Sequence, residues 1–352
     1  VEASKLKKFL HLSFTVCKWI VVAAISLEVL SFILVSLSNF MIYGTAWEGG
    51  YGVRYDPYVL FLRGPRPTSH NPRHPTQNHR TLWLFGGSTM RGSTDHDDRT
   101  IPSFLAGKLN QSGSRFSYTV INFGENSYNS LLETKYLQKE LIESSAYPDL
   151  VVFYDGANDC AYLAQYRTPN GHYGYRRFRG VVEGYRRSLW GLLKPLNAAL
   201  YSSFTKEMYD KLMETVVPLA PDSDLVRECV DAVEKRYEHV QKLADCYGAK
   251  FLVVWQPIMW VETGAVSARV REQEQQYAIM EERFLAVRHN FSVTYQALGQ
   301  RLKDKPYFIN LQNILCSRTE PVYQPDGVHL NDVGRNMVAR AMSQVLQERL
   351  AP

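Results

Sequence analysis

Four short segments combine glycine with side chains able to do chemistry: Gly86-Gly87-Ser88-Thr89, Gly124-Glu125-Asn126, Gly156-Ala157-Asn158-Asp159 and Asp326-Gly327-Val328-His329. A serine hydroxyl is a weak nucleophile at its own pKa and must lose its proton to a neighbouring base as it attacks. Imidazole is the suitable base, and it can later protonate a leaving alcohol. Of the nine histidines, only His329 has an aspartate three residues before it. That spacing lets Asp326 reach the other imidazole nitrogen, fix its tautomer and stabilise the imidazolium. Taken singly, each segment is a weak signal. Gly86-Gly87-Ser88-Thr89 suits a tight turn or a phosphate loop, but it lacks the P-loop lysine. Asn158 suits a turn-capping amide, and Gly124 a position needed only for backbone shape. Their order and their placement carry the weight.

Each segment follows a strand-like run. The strand candidates are 81–86, 118–124, 149–156, 250–257 and 307–315, short apolar stretches rich in Val, Ile, Phe and Tyr. Such runs are expected of strands covered on both faces. Helical stretches near 101–111, 127–145, 224–248, 265–302 and 332–349 alternate with them. The last places Val333, Met337, Ala341 and Val345 on one face, with Asn331 as its N-cap. Alternation of this kind predicts a parallel central sheet with right-handed crossovers, in a three-layer α/β/α sandwich. Catalytic groups in open sheets of this class gather beyond the C-terminal strand ends, where all four segments fall.

The four segments, in this order, resemble the motif blocks of the SGNH (GDSL-type) hydrolase family, and the resemblance covers residues 81–345. It implies a flavodoxin-like sandwich and a serine ester hydrolase, with Ser88 as nucleophile, His329 as base and Asp326 as its orienting partner. It further implies an oxyanion hole made by the backbone N–H groups of Ser88 and Gly124 and the side-chain amide of Asn158. Gly87 departs from the pattern, since the family often carries aspartate before the serine. Asp159 is expected to hold its loop by accepting backbone hydrogen bonds, and Gln256 to line the pocket without a chemical role. No metal or organic cofactor is needed for such a mechanism.

Residues 1–45 stand apart. Lys5, Lys7, Lys8 and Lys18 precede an apolar run from Trp19 to Tyr43. A helix over it would be about 37 Å long, enough to cross a bilayer with some tilt. Trp19 and Tyr43 sit where interfacial aromatic anchors belong, and the lysines put the N-terminus in the cytoplasm. The expected organisation is a basic tail (1–18), a transmembrane signal anchor (19–43), a linker (44–80) and a periplasmic or extracellular hydrolase domain (81–352). A cleaved signal peptide would have a shorter apolar core. Glu28 is out of place in the span, where a carboxyl costs about 2.5–3.5 kcal/mol and usually faces a partner or a wet cavity. Two readings follow: a protonated glutamate tolerated in a single helix, or a contact with an integral-membrane partner. An anchored site would act on an acylated envelope glycan or a lipid, by hydrolysis or, with a membrane partner, by acyl transfer to a sugar. A non-catalytic subunit keeping the fold would not need Ser88, Asp326 and His329 together.

Residues 161–222 fit no strand–helix unit and are dense in Tyr and Arg. They read as an insertion: a lid or substrate wall, a surface resting on the membrane, or a solvated face packed on the domain. His70, His74 and His79 lie among prolines that forbid the helix their spacing would need as metal ligands. Cys229 and Cys246 share one predicted helix, about 25 Å apart, and cannot pair. An oxidising compartment would permit a Cys160–Cys316 bridge. The net charge of +5, from 40 basic and 35 acidic residues, is too small to argue for nucleic acid.

Overall fold

The computed structural model describes residues 2–43, 54–94, 96–111, 115–187, 194–213, 216–277 and 282–350 of the chain. It divides into two compact units, residues 1–50 with 174–215 and residues 51–173 with 216–352.

The smaller unit begins with one long helix, α1 (Glu2–Tyr43), whose 7–38 stretch is long and apolar enough to cross a membrane. The larger unit opens with an antiparallel hairpin, β1 (Arg54–Asp56) and β2 (Leu60–Leu62). It then builds a five-stranded parallel sheet from β3 (His79–Gly86), β4 (Ser117–Asn122), β5 (Leu150–Asp155), β6 (Lys250–Trp255) and β7 (Phe308–Asn310). The spatial order is β4-β3-β5-β6-β7. The chain therefore steps outward from β3 to β4 and returns past β3 to β5. The reversal makes the gap between β3 and β5 the switch point where an open α/β sheet leaves room for a site.

Alternate strand residues serve two cores, as the period of two requires. Phe85 and Phe153 point into one core, shared with α4 (Ser130–Glu143), α5 (Ala157–Tyr166), α9 (Asp224–Cys246) and α11 (Glu282–Leu302). Leu84 and Val152 point into the other, shared with α3 (Ile101–Leu109) and α12 (Asp332–Leu350). Three layers result. A short α2 (Ser88–Arg91) follows β3, and α10 (Ala268–Tyr277) precedes α11. Residues 278–281, expected inside a single 265–302 helix, lie outside the described residues.

Some expectations need correction. Residues 54–80, expected as a solvated linker, are tied into the larger unit. Val59 is fully buried in its core, Asn71 bonds both backbone groups of Val120, and the Arg66 guanidinium holds the carbonyls of Arg91, Gly92 and Thr94. Composition misled because Asn71 and Arg66 here satisfy backbone groups of the β4 edge and of the loop after α2 instead of water. On α12, Asn331 does cap the first turn through Gly334 N–H (3.0 Å). The buried face, however, runs through Val338, Ala341, Met342 and Leu346, and Val333 is exposed. The packing against α3 rotates the helix by about one residue relative to the expected stripe. All five cysteines are unpaired. Cys160 is buried in the first core, whereas Cys316 lies in the loop after β7 against Gly264, so the two are not bridged.

Candidate active site

All the residues singled out for chemistry fall in the larger unit, and the sheet supplies their placement. β3 delivers Gly86 and Gly87, and α2 starts at Ser88, whose N–H belongs to a first helical turn and has no partner inside that helix. β5 delivers Gly156, after which α5 begins with Ala157-Asn158-Asp159. A hypothetical Cβ on Gly87 would sit 2.4 Å from Asn158 Nδ2. The residue that departs from the family pattern is thus the one that lets Asn158 close against the serine turn.

His329 arrives from the other end of the sheet on a narrow turn. Tyr323 and Leu330 form a bridge beneath it, Gln324 N–H donates to the His329 carbonyl (2.8 Å), and Gly327 N–H donates to the Gln324 carbonyl (2.8 Å). Gly327 has φ +68°, and a Cβ there would lie 2.1 Å from the Trp260 ring, so both conformation and space demand glycine. The Arg288 guanidinium stacks on that ring at 3.4 Å. Below the turn, buried Arg318 pairs with Glu262 (2.9 Å) and Glu274 (2.6 Å), and Tyr323 Oη donates to Glu262 (2.8 Å).

The turn brings His329 Nε2 within 2.7 Å of Ser88 Oγ, across 241 residues of sequence. On its far side His329 Nδ1 bonds Asp326 Oδ2, while Asp326 Oδ1 accepts the backbone N–H groups of Val328 and His329 at 2.9 Å each. Burial alone would push the Asp326 carboxyl pKa up. The bond to His329, its charge and the two backbone donors outweigh burial and hold the carboxyl below its ordinary value. With Nδ1–H given to Asp326, a neutral imidazole held this way has Nε2 left to accept the serine proton, the arrangement for nucleophilic acyl transfer.

The other two expected oxyanion donors are placed beside the serine turn, but each already has an acceptor. Gly124 N–H donates to Asn122 Oδ1 (2.9 Å), and Asn158 Nδ2 donates to the Tyr128 carbonyl (2.5 Å). The Asn158 amide has a second N–H for a ligand, whereas Gly124 must share or exchange its bond. Asp159 accepts Ser130 N–H (3.0 Å) and Ser130 Oγ (2.6 Å) and faces Arg236 at 3.6 Å, tying α5 to α4. Gln256 Oε1 accepts Thr89 Oγ1 (2.9 Å). With Tyr128, Tyr154 and Asp155 these two line a cavity of about 10 Å³ behind Gly87, room for roughly one water.

Sequence reading missed the layer that supports these groups. Asn122 and Tyr128 hold the oxyanion candidates, and Trp260 walls the histidine turn. Glu133 and Asp155 form a buried carboxyl pair behind the Asn158 loop. Burial first, and then neighbouring carboxylate charge, pushes Asp155 up to about 7 and Glu133 well above its ordinary value. Asp155 Oδ2 accepts Tyr237 Oη (2.8 Å), and burial of the two acids favours their neutral forms. Only Asn122, two residues before Gly124, carried a local signal.

A family model described as GDSL-like lipase/acylhydrolase matches residues 82–342. The chain belongs to that family. Solved structures similar to this chain include an aryl esterase from M. smegmatis (14% identity, TM-score 0.42, covering 77% of this chain and 100% of that one). Others are a carbohydrate acetylesterase from Sinorhizobium meliloti (16%, TM-score 0.41, 77% and 100%) and a lipase/acylhydrolase from Enterococcus faecalis (17%, TM-score 0.41, 78% and 98%). No curated protein matches the sequence. As a GDSL-family hydrolase, the chain has the esterase and acylhydrolase class as its established setting.

Proposed function

We propose that this chain is a membrane-tethered serine esterase that deacylates an envelope glycan or lipid outside the cytoplasm. The observation that carries the reading is the Ser88–His329 contact of 2.7 Å with His329 Nδ1 bonded to Asp326. As Ser88 Oγ attacks the ester carbonyl, His329 Nε2 takes its proton, and the carbonyl electrons move onto an oxyanion. The N–H groups of Ser88, Asn158 and Gly124 receive that charge. Collapse expels the alcohol, which takes the proton from His329, and leaves an acyl-serine. Water then repeats the sequence, with His329 as its base, and releases the acid and free Ser88.

Helix α1 supports the tether, and the lysines before Trp19 favour a cytoplasmic N-terminus with the hydrolase unit outside. Tethering keeps the site near the membrane, which favours acylated envelope components over dispersed small esters. The alternative of acyl transfer with a membrane partner rests on the family resemblance and on Glu28 as a contact for that partner. That carboxylate has partners within the chain, Phe204 N–H and Thr205 N–H and Oγ1, so hydrolysis is the simpler reading.

Labelling with a fluorophosphonate, wild type beside Ser88→Ala, tests the proposal. Labelling confined to wild type is expected. A folded wild type that stays unlabelled would leave the site without an activated serine and refute it.

A further inference from the structure

Within the smaller unit, three helices of the insertion, α6 (Tyr175–Arg187), α7 (Lys194–Ser202) and α8 (Phe204–Met213), pack on one another. The inner faces are fully used. Gly180 and Gly184 of α6 lie against the Tyr201 ring, and Arg177 pairs with Glu207 at 3.6 Å. Apolar stripes run along the exposed sides, bordered on α6 by exposed arginines. Phe178, Val182 and Tyr185 are exposed at i, i+4 and i+7 of α6, Leu196 and Leu200 at i and i+4 of α7, and Tyr209, Leu212 and Met213 on α8. Single exposed apolar residues are ordinary, whereas apolar stripes on three successive helices mark a surface that meets an apolar medium.

Glu28 fixes where that medium is. Its Oε1 accepts Phe204 N–H (2.7 Å), and its Oε2 accepts Thr205 N–H (3.0 Å) and Thr205 Oγ1 (2.7 Å). Phe32 packs edge-on against Phe204 at 5.0 Å, and Ser31 and Val35 are buried on the same face of α1. A carboxylate at a helix N-terminus satisfies the orphan N–H groups and the positive end of the helix dipole together. If α1 crosses the bilayer from Trp19, Glu28 lies about 13 Å further along it, inside the hydrocarbon. Whatever caps it lies at the same depth. The start of α8 does.

We infer that residues 174–213 are a second membrane element. α7 and α8 sit in the half of the bilayer beyond Glu28, against α1, and α6 lies in the headgroup layer. Several charges fit that placement. On α8, Lys206 pairs with Asp210 (2.5 Å), as charges in a low dielectric must. On α6, Arg179, paired with Glu183 at 2.8 Å, and exposed Arg186 border the apolar stripe at the depth of anionic headgroup phosphates. The apolar surface of the insertion is continuous in kind with that of α1, whose large side chains from Phe9 to Phe40 are likewise exposed. The occupant is lipid.

This inference rests on α1 being the anchor, and one experiment separates the two. The full chain is reconstituted in phosphatidylcholine vesicles containing phosphatidylglycerol. It is then photolabelled with a carbene precursor dissolved in the lipid, and the adducts are mapped by mass spectrometry. Adducts on both α1 and 194–213, with few on 130–143, are expected. Adducts on α1 with none on 194–213 would overturn the second element and leave the anchor standing. No adducts on α1 would overturn the anchor and the inference with it. Leu196→Lys and Leu200→Lys should each lower labelling of 194–202 severalfold while labelling of α1 is retained. Unchanged labelling of 194–202 would also sink the proposal.

Discussion

The two units place the same kinds of side chain on opposite sides of their surfaces. In the larger unit, every residue of β5 is buried and aromatic rings interlock between sheet and helices, as Phe85, Phe123 and Tyr136 do. Its charged side chains are mostly exposed or, like Arg318 with Glu262 and Glu274, paired where buried. In the smaller unit the arrangement is inverted. Ile20, Ile25, Leu30 and Leu37 of α1 face outward, while the polar groups Glu28, Ser31 and Thr205 meet inside. On the proposed reading one unit is built against water and the other against hydrocarbon, because each hides whatever its surroundings cannot solvate. Chemistry then belongs in the first, where a hydroxyl, an imidazole and water can meet.

The sharpest separation comes from Ser88→Ala. Esterase turnover should fall by about 10⁶-fold, while co-sedimentation of the chain with vesicles is unchanged. A parallel loss of membrane attachment would mean the units are not independent. Next in size is Asn158→Ala, expected to lower kcat by about 10²–10³ if its amide receives the oxyanion. Gly87→Ala should act in the same direction by displacing that amide. A kcat unaffected by Asn158→Ala would reduce the residue to a brace for the Tyr128 carbonyl.

Glu28→Leu probes the other unit. Loss of the cap should weaken α8 by about 1–2 kcal/mol. Hydrogen exchange at Phe204 and Thr205 should accelerate, while kcat on a water-soluble ester stays within about twofold, an effect of under 0.5 kcal/mol. Protected amides at 204–205 in the variant would show that Glu28 is not their acceptor in the membrane.

The smallest effect concerns the buried acids. The folded pKa of Asp155 is raised to about 7 from 3.8 by burial and by charge, so the folded state binds more protons than the unfolded state between those values. That contribution to stability is complete below about pH 4 and is lost as pH rises through 7. Glu133→Gln keeps a neutral partner at every pH. It should leave stability near pH 5 within about 1 kcal/mol of wild type and reduce the fall toward pH 8. The check is a series of thermal or urea melts across pH. A fall toward pH 8 as large as in wild type would remove Glu133 from the account of the pH dependence. Asp326 opposes this trend, since its carboxyl is held low and its contribution disappears in acid.

How much of this was legible in sequence depended on whether the signal was local. The strands could be read because a strand buried on both faces needs an unbroken apolar run, and β5 and β6 have one. The nucleophile turn and the Asp326–His329 turn could be read because each encodes its geometry within four residues. Residues 54–80 could not, since Val59 and Asn71 show their use only beside a sheet edge that comes later in the chain. The acceptors that hold Gly124 and Asn158 were equally hidden. Tyr128 contributes a carbonyl, which every residue has. Glu28 announced a need for a partner, but nothing local to it pointed 176 residues away to Phe204.

The Asp326–His329 turn bears on when the enzyme can act. Asp326 binds the backbone of Val328 and His329 within its own loop, so the base and its orienting group can assemble as soon as that short stretch exists. Their nucleophile is 241 residues earlier and meets them only after the intervening strands have paired. Within the proposed function, a chain emerging N-terminus first thus carries its serine through most of synthesis with no base beside it. On that reading acyl chemistry switches on only at the end of assembly, and a nascent or misfolded copy strips no esters.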